Sequence, residues 1–338
     1  MRPKANDILF VELLGEIGDV LIALTAIQAL ARSHPDAKLA VLTFAPGGEL
    51  LQHDPLIHQV LVAKQGEARQ TVDSVLADHT FDVIVSDTNY DGIDQAIQNR
   101  GAPRTVTNLW QFPPPHKRVG ERFLDILLRE ELIEPCAIGQ PRFLLGPDER
   151  DRAREVLGDV QYPITFLIPD AGMAIKRWPS ASFVTLGRAL RQRYDATVII
   201  PIGSDADLVE GIAGEIGGTA CIWPRGSLCG LATAMDGADL AVGADTGVAR
   251  IAAALKVTTI TLFGPSWYGR YGQPAPHLNL QGFAECSERV IKDFTIQRCW
   301  YSGVCPIASW GTCLESISPH DVLSAAASFL EDQVPGSS

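Results

Sequence analysis

The sequence predicts an α/β protein built from two doubly wound units, each a parallel sheet with helices on both faces. Three observations predict it. Apolar runs of strand length alternate with helical periodicity from Ile8 to Asp87, and again from Ile164 to Phe263. A Pro- and Gly-rich stretch without periodicity, Ile133 to Asp148, separates the two series. The length, 338 residues, suits two domains of ordinary size.

In the first series, Ile8–Leu14 is a buried strand, followed by the loop Gly15–Asp19 and a helix from about Val20 to Arg32. Lys38–Phe44, Ile57–Val62 and Phe81–Asp87 are further strands, with a polar helix near Glu67–His79. Arg118 to Leu132 has helical spacing, with Phe123, Leu124, Leu127 and Leu128 on one side. Ile133–Asp148 then reads as the linker, and Glu149–Leu157 as the helix that opens the second unit. Strands follow at Ile164–Pro169, Thr197–Ile202, Ala220–Trp223, Leu240–Gly243 and Thr258–Phe263. Helices fill the gaps at Ser182–Tyr194, Ala206–Ile216, Leu228–Asp236 and Val248–Leu255. From Gly264 to Ser316 the chain reads as irregular, and a last helix, Pro319 to Glu331, is long enough to cross back onto the first domain. The expected domains are 1–145 and 146–316, with 317–332 as the crossing helix.

Composition narrows the function. The net charge of −12 argues against a nucleic-acid partner, which needs clustered Lys and Arg to displace counterions. A small anionic ligand needs only one local basic pocket and stays open. The apolar runs are shorter than the ~20 residues of a membrane span. Met1–Lys4 is basic, but Asp7, Glu12, Glu16 and Asp19 break the segment behind it, so it does not read as a secretory signal and a cytoplasmic protein is expected.

Three turns lie where strands end and helices begin, the place at which doubly wound sheets bind ligands. In Gly15–Asp19, Gly18 allows a tight turn and Asp19 brings a carboxylate to the helix-start amides. The stretch lacks the G-x-G-x-x-G order of a dinucleotide site. In Asp170–Pro179, Gly172 lies in a small flexible loop, and Lys176 and Arg177 can approach a diphosphate ahead of the Trp178-Pro179 helix start. In Gly243–Gly247, the amides of Thr246 and Gly247 suit a phosphate oxygen, and Asp245 can hydrogen-bond a sugar. The plain alternative is structural at each: Asp19 and Asp245 as helix caps, Lys176 and Arg177 as a solvated pair. With both turns facing one cleft, a base at Asp19 and a donor site at Lys176, Thr246 and Gly247 would suit sugar transfer.

At these residues the sequence resembles the heptosyltransferase family, glycosyltransferase family 9. Four stretches carry the likeness: Ile8 to Leu42 with Gly18-Asp19-Val20, Lys176-Arg177-Trp178-Pro179, Ser227 to Phe263 with Asp245-Thr246-Gly247, and Cys313 to Val322. The resemblance implies a GT-B fold, two facing Rossmann-like domains with a crossing C-terminal helix, and inverting transfer without a divalent metal. It implies Asp19 as general base, Lys176 on the donor phosphates, Asp245 on the donor sugar, Thr246-Gly247 on the diphosphate, and Asp205 near the ribose. Its donor is ADP-heptose and it has a glycan, lipid-linked or protein acceptor, in lipopolysaccharide biosynthesis, with action in the cytoplasm or peripherally at the inner membrane. The oligomeric state is not specified.

The sequence also departs from that pattern. Arg250 stands near a usual His and is assigned to donor binding, and Glu12 replaces a usual Arg on the first strand. A nucleotide-sugar epimerase or hydrolase, or a non-catalytic nucleotide-sugar-binding relative, remains as the alternative. Of seven cysteines, Cys286, Cys299, Cys305 and Cys313 crowd one region without a C-x-x-C pair. They are expected as free or paired thiols or as a structural zinc or iron site, some protein-directed relatives having an iron-binding cysteine cluster.

Overall fold

A computed structural model describes residues 5–15, 17–107, 109–110, 117–146, 151, 155, 160, 163–218, 220–289 and 298–331. The chain divides into two compact units, Met1–Leu144 and Leu145–Ser338. The helix expected over Glu149–Leu157 falls almost wholly outside the described residues, as do Met1–Lys4 and Glu16.

In the first unit, β1 (Asp7–Val11), β2 (Lys38–Phe44), β3 (Gln59–Ala63), β4 (Val83–Ser86) and β5 (Arg104–Val106) form a parallel sheet in the order β3-β2-β1-β4-β5. Ile8 to Val11 are fully buried because β1 is central and covered on both faces, which is why it reads as an unbroken apolar run. The helices are α1 (Ile17–Ser33), α2 (Ala45–Leu51), α3 (Ala68–Asp78), α4 (Ile93–Arg100) and α5 (Val119–Arg129). α2 was hidden because Ala45-Pro46-Gly47-Gly48 reads as a turn. Its Gly47 lies so close to β2 and α1 that a Cβ would meet Thr43 Oγ1 at 2.4 Å and Val20 Cγ2 at 2.7 Å.

The start of the expected linker is not a free tether. Ile133, Ala137 and Phe143 are buried. Gln28 of α1 donates to the Arg142 carbonyl (2.7 Å) and accepts from its amide (3.1 Å), and Arg32 donates to the Ala137 carbonyl (3.0 Å). Polar side chains of α1 thus supply the hydrogen bonds that an aperiodic segment cannot make for itself.

In the second unit, β6 (Ile164–Ile168), β7 (Thr197–Pro201), β8 (Cys221–Trp223), β9 (Leu240–Ala244), β10 (Thr259–Phe263) and β11 (Leu278–Gln281) form a parallel sheet ordered β11-β10-β9-β6-β7-β8. Its helices are α6 (Ser180–Tyr194), α7 (Ala206–Ile216), α8 (Leu228–Met235), α9 (Gly247–Ala254), the short α10 (Tyr268–Tyr271), α11 (Arg298–Ser302) and α12 (Thr312–Glu315), and α13 (Pro319–Leu330). The region from Gly264 to Ser316, expected to be irregular, holds β11 and three of these short helices. The apolar face of α13, Val322, Ala326 and Leu330, is wholly buried in the second unit's own core with Phe183 and Leu190 of α6. No helix among the described residues is long and apolar enough to cross a membrane.

Candidate functional site

Each sheet reverses its strand order at one point, between β1 and β4 in the first unit and between β6 and β9 in the second. Ligands of doubly wound sheets bind outside the carboxyl ends of such strand pairs. The polar side chains gather at both places.

In the first unit the strands deliver Glu12 and Asp87. Val11 pairs with Leu42 on one side and Ser86 on the other, so the next rung carries Thr43, Glu12 and Asp87 in a row. Glu12 accepts from Thr43 Oγ1 (2.7 Å) and from the Leu14 amide (3.2 Å). Asp87 accepts from Thr88 Oγ1 (3.0 Å), which itself accepts from the Leu13 amide (2.9 Å). Burial, reinforced by the charge of Asp19, pushes Glu12 up to about 7 against the Thr43 hydrogen bond. Burial and the neighbouring Glu12 hold Asp87 well above the ordinary carboxylate range.

Asp19 is half-buried in the first turn of α1 rather than at its cap, where the helix dipole favours an acid. The tight turn is not made by Gly18, which lies inside α1. It is made by Gly15, whose φ of 99° is in the left-handed region.

In the second unit β6 delivers Asp170, and the loop behind it carries Gly172 to a short turn, Ala174–Lys176. Asp170 pairs with Arg177 (2.8 Å) and accepts from Ser204 Oγ (2.7 Å) and from the amides of Ser204, Asp205 and Ala171. Burial pushes its carboxyl up, but these hydrogen bonds and Arg177 outweigh that and hold it below the ordinary value. Asp205 caps α7 through the Leu208 amide (3.0 Å) and pairs with Arg177 (3.4 Å).

β9 delivers Asp245, which binds Arg250 at 2.9 Å and Lys176 at 3.3 Å and accepts from Ser266 Oγ at 3.0 Å. It is 9% exposed, and burial alone would raise its carboxyl; the two cations reverse that and hold it low. Lys176 also lies 5.3 Å from the Trp300 ring centroid. Arg250 donates to the Tyr271 carbonyl (2.5 Å). Thr246 is the N-cap of α9 and Gly247 its first residue, so free amides begin at this cluster. Beside the loop, Trp178 is 2% exposed and donates to the Ile317 carbonyl (2.9 Å), fixing the start of α6.

Lys176, Asp245 and Arg250 therefore come together, next to Thr246 and Gly247. Asp245 was expected to touch a sugar, yet both its oxygens are already taken. Asp87 and Ser266 went unremarked in the sequence. Asp87 is an acid one residue beyond an apolar strand, the same signal that marked Asp245, whereas Ser266 carries no signal of its own.

The four late cysteines line one pocket with Ile175 and Arg289. All four are free thiols, and burial raises Cys299 and pushes Cys313 up to about 11. Among the described residues no three Cys, His, Asp or Glu are arranged to hold a metal ion. The cavity is organised instead by Arg289, 8% exposed, which donates to the carbonyls of Gly264, Gly282, Phe283 and Ala284.

Two parallel-sheet α/β units with polar clusters at their switch points have the fold of the GT-B class. More particularly, residues 124–291 match the sequence profile of glycosyltransferase family 9 (heptosyltransferase), and the chain belongs to that family. It is 34% identical over 134 residues to lipopolysaccharide heptosyltransferase 1 of Pseudomonas aeruginosa, a match covering 38% of this chain and 37% of that protein. A glycosyl transferase family 9 structure from Veillonella parvula superposes with a TM-score of 0.82 at 16% identity, covering 98% of this chain and 99% of that one. The Escherichia coli ADP-heptose lps heptosyltransferase II does so with a TM-score of 0.74 at 16% identity, covering 97% and 99%.

Proposed function

We propose that the chain transfers heptose from ADP-heptose to a hydroxyl of a cell-envelope glycolipid or a protein acceptor, by a single displacement that inverts the anomeric centre. The observation that carries this is the Asp245 cluster. One buried carboxylate holds two cations, leaving a net positive charge at the start of α9. Lys176 and Arg250, with the Thr246 and Gly247 amides, would receive the donor diphosphate and stabilise the charge of the departing ADP. Asp245 would act through the two cations it orients, and Gly172 would let the loop close on the phosphates. Asp205, committed to the α7 cap and to Arg177, would reach a ribose only by sharing its carboxylate.

Asp19 would take the proton of the acceptor hydroxyl. The oxygen then bonds to the anomeric carbon while the bond to the diphosphate breaks and ADP leaves with the electron pair. The family and the names of the relatives support heptose and the ADP donor. A membrane-anchored glycolipid would place the reaction at the cytoplasmic face of the inner membrane.

The test is Asp19→Asn. Transfer should fall by about 10²–10⁴-fold, the usual worth of a general base. ADP-heptose should still raise the melting temperature, because donor binding rests on the second unit. Undiminished transfer would remove Asp19 from the reaction, and release of free heptose without an acceptor would point to hydrolysis.

A further inference from the structure

Glu12 and Asp87 are left over by the reaction as proposed. They stand on the same rung of β1 and β4, one residue beyond the Val11–Ser86 pair. Side chains on one rung of a parallel pair leave the same face, about 4.8 Å apart. Glu12 is 0% exposed and Asp87 1% exposed. Among the described residues neither forms an ion pair with a Lys or Arg. Two carboxylates that close and that dry cannot both be ionised. Asp87 Oδ2, moreover, is buried without any hydrogen-bond donor, although Oδ1 accepts from Thr88. A donorless carboxylate oxygen beside a second carboxylate is placed for a proton.

We propose that Glu12 and Asp87 share protons and that their charge sets how strongly Asp19 draws the proton of the acceptor. They are positioning residues for the transfer reaction, and this rests on Asp19 being its base. With both groups protonated the pair is neutral. When it gives up one proton to solvent it carries one negative charge. That charge favours the protonated form of Asp19 and so makes it a stronger base. Release of the first proton falls near neutrality, where burial sets Glu12.

The groups that act on the pair are few. α1 contributes Asp19, and β2 contributes only the neutral Thr43. The segment after β4 contributes Tyr90, whose hydroxyl donates to the Leu13 carbonyl (2.6 Å), with Asp91 acting on Tyr90.

The test uses the full chain and the near-isosteric double variant Glu12→Gln/Asp87→Asn, with two readouts. In infrared spectra at a pH just below neutrality, subtracting the double variant from wild type should leave the carbonyl band of a protonated, buried carboxyl. The same band should persist in Asp19→Asn. In a pH–rate profile, wild-type transfer should rise by about three- to tenfold through neutrality, the effect of a like charge on a base. The double variant should stay flat at the lower rate. Should the double variant not fold, Glu12→Gln alone serves for both, because its amide oxygen can still accept from the Leu14 amide while its amide nitrogen donates to the Thr43 hydroxyl; the band should then weaken and the rate limb move to lower pH. Absence of the band overturns the shared proton. An unchanged rate limb overturns the coupling to Asp19. Failure of the base reading looks different: Asp19→Asn would transfer normally while the band stayed in place.

Discussion

In the first unit, the carboxylates that follow the two strands at the switch point, Glu12 and Asp87, lie side by side, and among the described residues neither pairs with a Lys or Arg. In the second, Asp170 and Asp245 follow the corresponding strands and each is held by Arg or Lys. The strand orders match, and continuing the β6–β9 register, in which Ile168 faces Gly243, by two residues sets Asp170 opposite Asp245. Topology therefore delivers acids to both places, and the partners decide their charge. In the first unit burial raises both carboxyls; at Asp245 the two cations outweigh burial, and at the less buried Asp170 hydrogen bonds from Ser204 do so together with Arg177. The two cations on Asp245 leave a positive site fit for a diphosphate, and Glu12 and Asp87 lie near enough to Asp19 to feel its charge. That division agrees with the proposed roles of the two units.

The harshest way to break the contrast is to remove the anion from the cationic side. Asp245→Asn leaves Lys176 and Arg250 without the charge that orients them. Breaking a buried ion pair by removing one partner costs about 3–5 kcal/mol. Urea unfolding should register that loss, and ADP-heptose should no longer shift the melting temperature. A variant as stable as wild type with donor binding intact would show that Asp245 is not what holds the cations in place.

Most of the scaffold was legible before any coordinates. Central strands such as Ile8–Val11 and Ile164–Ile168 are buried on both faces, so burial alone writes them as apolar runs. Lys176, Asp245 and Thr246 were legible because a strand end followed by a helix start is a local signal. Glu12 stood out only as a substitution, and its pairing with Asp87 was invisible because register between β1 and β4 joins residues 75 positions apart without any local signature. α2 was missed because its glycines answer to close packing rather than to helix propensity.

A gentler probe acts on the acidic side. Glu12 binds in the folded protein a proton that the unfolded chain releases, its value moving from 4.5 to about 7. The stability it contributes is fully present below about 4.5 and is lost as pH rises through about 7. Gln has no proton to lose. Glu12→Gln should therefore gain on wild type by roughly 3 kcal/mol between about pH 4 and about pH 8 in urea unfolding. Asp245 has the opposite sign, its contribution present above the ordinary carboxylate value and lost as pH falls below it. A Glu12→Gln curve parallel to wild type over that interval would mean that Glu12 is ionised in the folded chain.

The smallest expected effect tests whether hydrogen-bond donors, as well as cations, separate the two switch points. Asp170 sits in a cradle of Ser204 and Asp205 amides that has no counterpart at Asp87 Oδ2. Gly203 makes the cradle possible, because a Cβ there would meet Asp170 Oδ2 at 2.3 Å and its Cβ and Cγ at 3.0 Å. Asp170 is tied by five partners and cannot swing aside freely, so Gly203→Ala should cost about 1–3 kcal/mol, as overpacking does. Driving the carboxylate off these amides should also bring its titration, followed by carboxyl NMR, back up toward the ordinary range, because burial then acts with fewer compensating donors. If Gly203→Ala leaves both stability and the Asp170 titration as they were, Arg177 alone accounts for the low value, and cations suffice to explain how the two switch points differ.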